Sequence, residues 1–127
     1  MIIKKDIETS EDIKVLIDKF YEQIIVDPVI GFIFTDVIEL SWEKHIPIMN
    51  SFWNSILLGE TTYSGNPMIK HIELNKLVPL KKIHFDRWTE LWESTVHEYF
   101  DGSMADQAVS KAKNIAQIMQ RKIGVNN

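Results

Sequence analysis

The clearest periodicity near the start of the chain is apolar. Ile13, Leu16, Ile17, Phe20 and Ile24 recur at helical steps, with Tyr21 beside them on the same face. Thr9-Ser10-Glu11-Asp12, just ahead of them, supplies a hydroxyl cap followed by acids in the first turn, which is a helix start. Asp27-Pro28 stops that helix, and the short apolar stretch from Val29 to Phe34 suits one tight helical turn. A second long stripe follows between Ser41 and Leu58, made by Trp42, Ile46, Met49, Phe52, Trp53 and Ile56. His45 stands in line with Met49, Phe52 and Ile56 at steps of four, three and four. Pro47 cannot donate a backbone hydrogen bond and is tolerated mainly in a first turn, so this helix is expected to become regular near Lys44 or His45, or to bend.

The middle of the chain is broken. Gly59 to Pro67 reads as loop, Met68 to Leu74 as one or two helical turns, and Leu77-Val78-Pro79 as a second break. Leu80 to Phe100 then predicts a long helix, with Phe85, Trp88, Trp92, Val96 and Tyr99 inward and Asp86, Glu90, Glu93 and His97 on the opposite face. Asp101-Gly102 is a turn, and Ser103-x-x-Asp106 is expected to cap a last helix to about Ile123, with Ala108, Ala112, Ile115 and Ile118 or Met119 as its stripe. No stretch alternates as a strand would, and no repeat or linker divides the chain. The expectation is an all-α protein with a single domain over residues 1–127.

Composition narrows the chemistry. The 127 residues carry a net charge of −4 with pI near 5.5, which leaves no basic face for nucleic acid. No Lys/Arg run adjoins an amphipathic stretch and no run approaches the ~18 apolar residues of a membrane span, so no membrane role is expected. Met1 to Asp6 does not have the makings of a signal peptide. The absence of cysteine excludes disulfides, iron–sulfur clusters, zinc–thiolate sites, thiol catalysis and a covalently attached c-type haem, and it fits a cytoplasmic protein. Four Trp, six Phe and three Tyr either fill a large core or line a pocket for a flat aromatic ligand; composition does not choose between these.

Four histidines carry the sharpest chemistry. His97 shares a face with Asp86, Glu90 and Glu93 and reads as a solvated surface residue, while His84 sits at the edge of the long helix one turn before Trp88. His45 lies on an apolar stripe, where a hydrogen-bonded core histidine and a ligand are both open readings. His71, among Met68, Ile72 and Leu74, is an imidazole in apolar surroundings such as an iron porphyrin requires, yet a lone histidine does not settle the matter. There is no Gly-rich phosphate loop, no H-E-x-x-H, no EF-hand spacing, no G-x-S-x-G and no Glu-x-x-His for a di-iron bundle.

One ordered set of segments is more informative than any residue alone. Phe20-Tyr21-Glu22, Gly31-Phe32-Ile33-Phe34, Trp42-Glu43-Lys44-His45, Asn50-Ser51-Phe52-Trp53, Leu57-Leu58-Gly59-Glu60, Tyr63-Ser64-Gly65-Asn66-Pro67, Lys70-His71 and His84-Phe85-Asp86-Arg87-Trp88 follow one another from about residue 5 to residue 123. This string resembles the group III truncated haemoglobins of bacteria, and the lack of any Gly-Gly pair agrees with that group. The resemblance implies a shortened globin, a two-over-two helical sandwich around a b-type haem. It makes His71 the proximal iron ligand and places Tyr21, His45 and Trp88 on the distal, ligand-stabilising side. It gives Phe34, Met49, Phe52 and Trp53 to the pocket walls, with Tyr63 and Lys70 as candidate propionate partners. Dioxygen or another small diatomic molecule is the implied ligand. Peroxidase-like or nitric oxide dioxygenase-like activity and a reductase partner are left open by the resemblance. A haem-free helical adaptor, with the aromatics as core, is the alternative.

Overall fold

The computed structural model describes residues 4–37, 42–59, 75 and 79–124, and every regular element among them is helical. The first helix, α1, spans Ser10–Ile24. Its start is built locally, as the pattern predicts: the Thr9 hydroxyl accepts from the Asp12 N–H, and the Asp12 carboxylate accepts from the backbone N–H groups of Glu8 and Thr9. Ile13, Leu16, Ile17, Phe20, Tyr21 and Ile24 form its buried face.

The chain turns over residues 28–30 and tightens into a π-helix, Ile33–Val37, instead of one ordinary turn. Gly31 makes this corner possible. A Cβ there would stand 3.0 Å from the Ile24 carbonyl oxygen and 3.1 Å from that of Ile25, so any side chain would push the corner off the end of α1.

Helix α2 spans Trp42–Leu58, close to the expected Ser41 to Leu58, and is already regular ahead of Lys44 and His45. Pro47 lies inside it. The hydrogen it lacks would have reached the Glu43 carbonyl, so the loss falls close to the N-terminal end, where little of the ladder is interrupted. The expected loop from Glu60 onward and the turns at Met68 to Leu74 lie outside the described residues.

Helix α3 spans Lys82–Tyr99 and α4 spans Ser103–Ile123. The cap of α4 differs from the Ser103 cap expected from the sequence. Gly102 is the N-cap, with φ at +141°, and no side chain of its own segment completes the cap. The Asp6 carboxylate does so from the other end of the chain, accepting from the N–H groups of Met104 and Ala105 at 2.9 and 2.8 Å. A Cβ on Gly102 would fall 2.5 Å from the Asp6 carboxyl carbon, so the glycine makes room for the carboxylate.

The helices α1, α2, α3 and α4 enclose one apolar core, with α1 packed on α2 and α3, and α3 on α4. Its centre is aromatic. Trp53 of α2 stacks on Trp92 of α3 with centroids 4.4 Å apart, and Phe20 of α1 meets Trp92 edge-on at 5.0 Å. The Trp92 indole N–H donates to the Ala108 carbonyl at 3.1 Å, so this buried polar group is satisfied while it ties α3 to α4. Small residues on α4 (Ala105, Ala108, Ala112 and Ala116) let that helix approach closely, and Met119, not Ile118, completes the stripe. Among the described residues, no helix is long and apolar enough to cross a membrane.

Candidate functional site

Tyr21 is the last polar side chain on the buried face of α1, and it meets α2 at His45. Its hydroxyl lies 2.9 Å from His45 Nε2. The two rings are nearly perpendicular, with centroids 5.1 Å apart. Burial pushes the Tyr21 hydroxyl far above its ordinary pKa, because a phenolate there would be stripped of water. The group therefore keeps its proton across the physiological range and always has one hydrogen to give. Either it donates to an unprotonated Nε2, or it accepts from an Nε2–H and donates elsewhere.

The surroundings are apolar. Phe34, on the π-helix, turns an edge toward Tyr21 at 6.1 Å, and Phe20 does so from the α1 side at 5.2 Å. On α2, the face that carries His45 continues through Met49, Phe52 and Ile56. All four are half-buried, with the three apolar residues packed at the margin of the core. Phe52 also meets Trp53 edge-on at 5.5 Å.

Trp88 reaches this region from α3. It lies parallel to Trp92 at 6.3 Å and edge-on to Phe20 at 5.9 Å, so the residue beside Tyr21 supports it. Its indole differs from that of Trp92 in one respect. The Trp92 N–H is spent on Ala108, whereas among the described residues no acceptor takes the Trp88 N–H.

Several residues expected at the site are thus brought together: Tyr21 with His45 and Phe34 directly, and Trp88 with them through Phe20. Met49 and Phe52 share the His45 side of α2. Trp53, next to Phe52, is 2% exposed and stacked within the aromatic core. His71, Tyr63 and Lys70 lie outside the described residues. Of the other histidines, His97 is exposed, as its acidic face implies. His84 closes the start of α3, its Nδ1 accepting the Lys81 backbone N–H at 3.0 Å. Desolvation, and then the nearby Lys81 charge, hold the His84 pKa below its usual value.

Sequence reasoning missed an ion pair beneath this site. Asp27 serves as the α1 stop, but its carboxylate also takes Arg87 Nε and Nη2, both at 2.8 Å, and the N–H groups of Val29 and Ile30. The only sequence signal was an acid before Pro28 and an arginine 60 residues later, which nothing local connects.

Helices in this order thus bring a buried tyrosine of the first into hydrogen-bond distance of a histidine on the apolar face of the second. Comparison with known proteins identifies the family. The chain is 31% identical over 117 residues, 90% of each chain, to the group 3 truncated haemoglobin ctb of Campylobacter jejuni subsp. jejuni. The crystal structure of the group III truncated haemoglobin from Campylobacter jejuni matches it with a TM-score of 0.84 and 30% identity, covering 95% of both chains. No family model matches the chain. The protein belongs to the group III truncated haemoglobins.

Proposed function

We propose that this protein holds a b-type haem through His71 and binds dioxygen, or another small diatomic ligand, on the side occupied by Tyr21, His45 and Trp88. The observation that carries the reading is the buried Tyr21–His45 hydrogen bond, set among apolar side chains in a chain of this family. The residues suit the group. A porphyrin asks for a flat apolar wall with a few polar groups at its centre, and the half-buried face of α2 offers Met49, Phe52 and Ile56 beside His45.

When bound, the haem supplies an iron with one position held by imidazole and one left for a small ligand. The chain's own residues do the rest. His71 is the imidazole, and a carbonyl acceptor for its second ring nitrogen would fix the ring plane. Tyr21 keeps its proton and can aim it at a ligand that gains negative charge. His45 Nε2–H can support the tyrosine oxygen or turn to the ligand itself. Trp88 brings an indole N–H from the opposite helix. Phe20, Phe34 and the aromatic core exclude water, so each donor acts at low dielectric.

Donation to a charged acceptor is worth about 1.5–3 kcal/mol per bond. Two such donors slow ligand release by roughly two to four powers of ten. Slow release suits tight binding or redox work on oxygen, peroxide or nitric oxide better than delivery, and a reductase that restores ferrous iron belongs to the redox reading. A cysteine-free chain fits a reducing cytoplasm. Stopped-flow displacement of oxygen, beside the rates with peroxide and nitric oxide, tests the proposal. Slow oxygen release is expected, and release as fast as from a pocket with no donors would overturn it.

A further inference from the structure

The first turns of α3 carry Trp88 at the margin of the core, against Phe20 and Trp92. Phe85 is buried and the next buried residue is Leu91, while Lys82 and Ile83 are exposed and Trp88 itself is half-buried. A polar tie to the α1 corner is added by the residue next to the tryptophan. Arg87 is about one third exposed, and it places Nε and Nη2 on one oxygen of Asp27, whose side chain is 2% exposed. The other Asp27 oxygen accepts the N–H groups of Val29 and Ile30 at 3.0 and 3.1 Å, which shapes the corner between Tyr21 and Phe34. Arg87 also reaches Glu90 one turn on, at 3.2 Å. Among the described residues this is the one ion pair between the end of α1 and α3.

We infer that Asp27 and Arg87 are positioning residues for the ligand pocket: their ion pair sets the rotation of α3 against the α1 corner and so the direction of the Trp88 indole N–H. Adjacent residues on a helix are fixed about 100° apart, so pinning Arg87 leaves Trp88 one azimuth. The carboxylate that pins it is saturated by donors on both oxygens and cannot shift without leaving a buried charge unpaired. Tyr21, Phe34 and Trp88, which stand on three elements, are thereby referred to one anchor. The inference rests on the haem-binding reading for its functional consequence, but the geometric part stands apart from it.

The test uses Arg87→Met, which keeps the aliphatic stem and removes the fork, and Arg87→Lys, which restores the charge. In the haem-free protein, the Trp88 indole N–H resonance should move in Arg87→Met and return toward its wild-type place in Arg87→Lys, while that of Trp92, bonded to Ala108, stays where it is. In the haem-loaded protein, oxygen release should quicken by about tenfold in Arg87→Met, the scale typical of losing a partner that orients a metal-site group, with Arg87→Lys between the two. If Arg87→Met does not fold, Asp27→Asn, which keeps an acceptor for the corner amides, decides by the same two readings. A folded variant with an unmoved Trp88 resonance and release within twofold of wild type overturns the inference. If wild-type protein takes up no haem, the functional reading fails while the resonance still decides the positioning.

Discussion

Replacing Tyr21 by phenylalanine removes one hydroxyl and leaves the ring. The edge contacts with Phe20 at 5.2 Å and Phe34 at 6.1 Å are made by the ring, so the wall of the pocket survives. Two things are lost. On the side of the fold, His45 Nε2 loses the oxygen 2.9 Å away, which costs about 1 kcal/mol of stability, the net worth of an ordinary hydrogen bond. On the side of the ligand, one donor to a charged acceptor disappears, worth about 1.5–3 kcal/mol, or roughly ten- to 150-fold in release rate. His45 then has no tyrosine to engage and can turn its own N–H toward the ligand. The net acceleration therefore falls in the lower part of that range, about ten- to thirtyfold. The assay is stopped-flow displacement of oxygen by carbon monoxide in the reduced protein, with a thermal melt of the same samples to separate the two effects. A release rate within twofold of wild type, in a protein that melts within a few degrees of it, would refute the assignment of Tyr21 as a donor.

Three further outcomes follow from the packing and the caps. Asp6→Ala should lower stability by roughly 1–2 kcal/mol, measured by urea denaturation, because the first amides of α4 lose their acceptor. Acid should unfold the protein through its buried and bonded carboxylates. Desolvation raises Asp6, Asp12 and Asp27, but bonds from Met104, Ala105 and Ile7 to Asp6, from Lys5, Glu8 and Thr9 to Asp12, and from Arg87, Ile30 and Val29 to Asp27 outweigh it and hold all three below the usual range. Their contribution is then complete above the unfolded pKa of about 3.9 and lost as pH falls through the folded values, so helical circular dichroism should hold to about pH 4 and fall below it, and Asp27→Asn should flatten that dependence. Trp92→Ala should cost roughly 3–5 kcal/mol in a denaturant titration, since it empties the site where Trp53, Phe20 and Trp88 converge and removes the hydrogen bond from its indole to Ala108.

The parts of the molecule that the sequence made legible are those whose cause is local. The Thr9–Asp12 box and the stripe from Ile13 to Ile24 lie within one helix, and the pattern placed them correctly. The His45 face of α2 was legible for the same reason. The cap on α4 was not, because its acceptor is Asp6, nearly a hundred residues away, and the nearby Ser103 offered a plausible local substitute. Asp27 was read as a stop signal, which it is, but Arg87 lies across the fold and no periodicity links the two. The π-helix after Gly31 depends on how closely the corner approaches the α1 carbonyls, a distance that no residue pattern states. The aromatics were ambiguous for a physical reason: stacking on a porphyrin and stacking on another indole ask for the same side chain. In the fold, Trp53 and Trp92 lie in the core and Trp88 is packed at its margin. The proposed site rests on the ordered resemblance, since each histidine alone had an ordinary explanation.

The most direct test is a haem titration of the cysteine-free wild-type protein and of His71→Ala, followed in the Soret region. Wild type is expected to take up haem stoichiometrically, with a ferrous spectrum typical of imidazole ligation, and a folded His71→Ala to show no stable uptake. Absence of a Soret band in wild type after haem is added, or equal retention of haem by the variant, would contradict this.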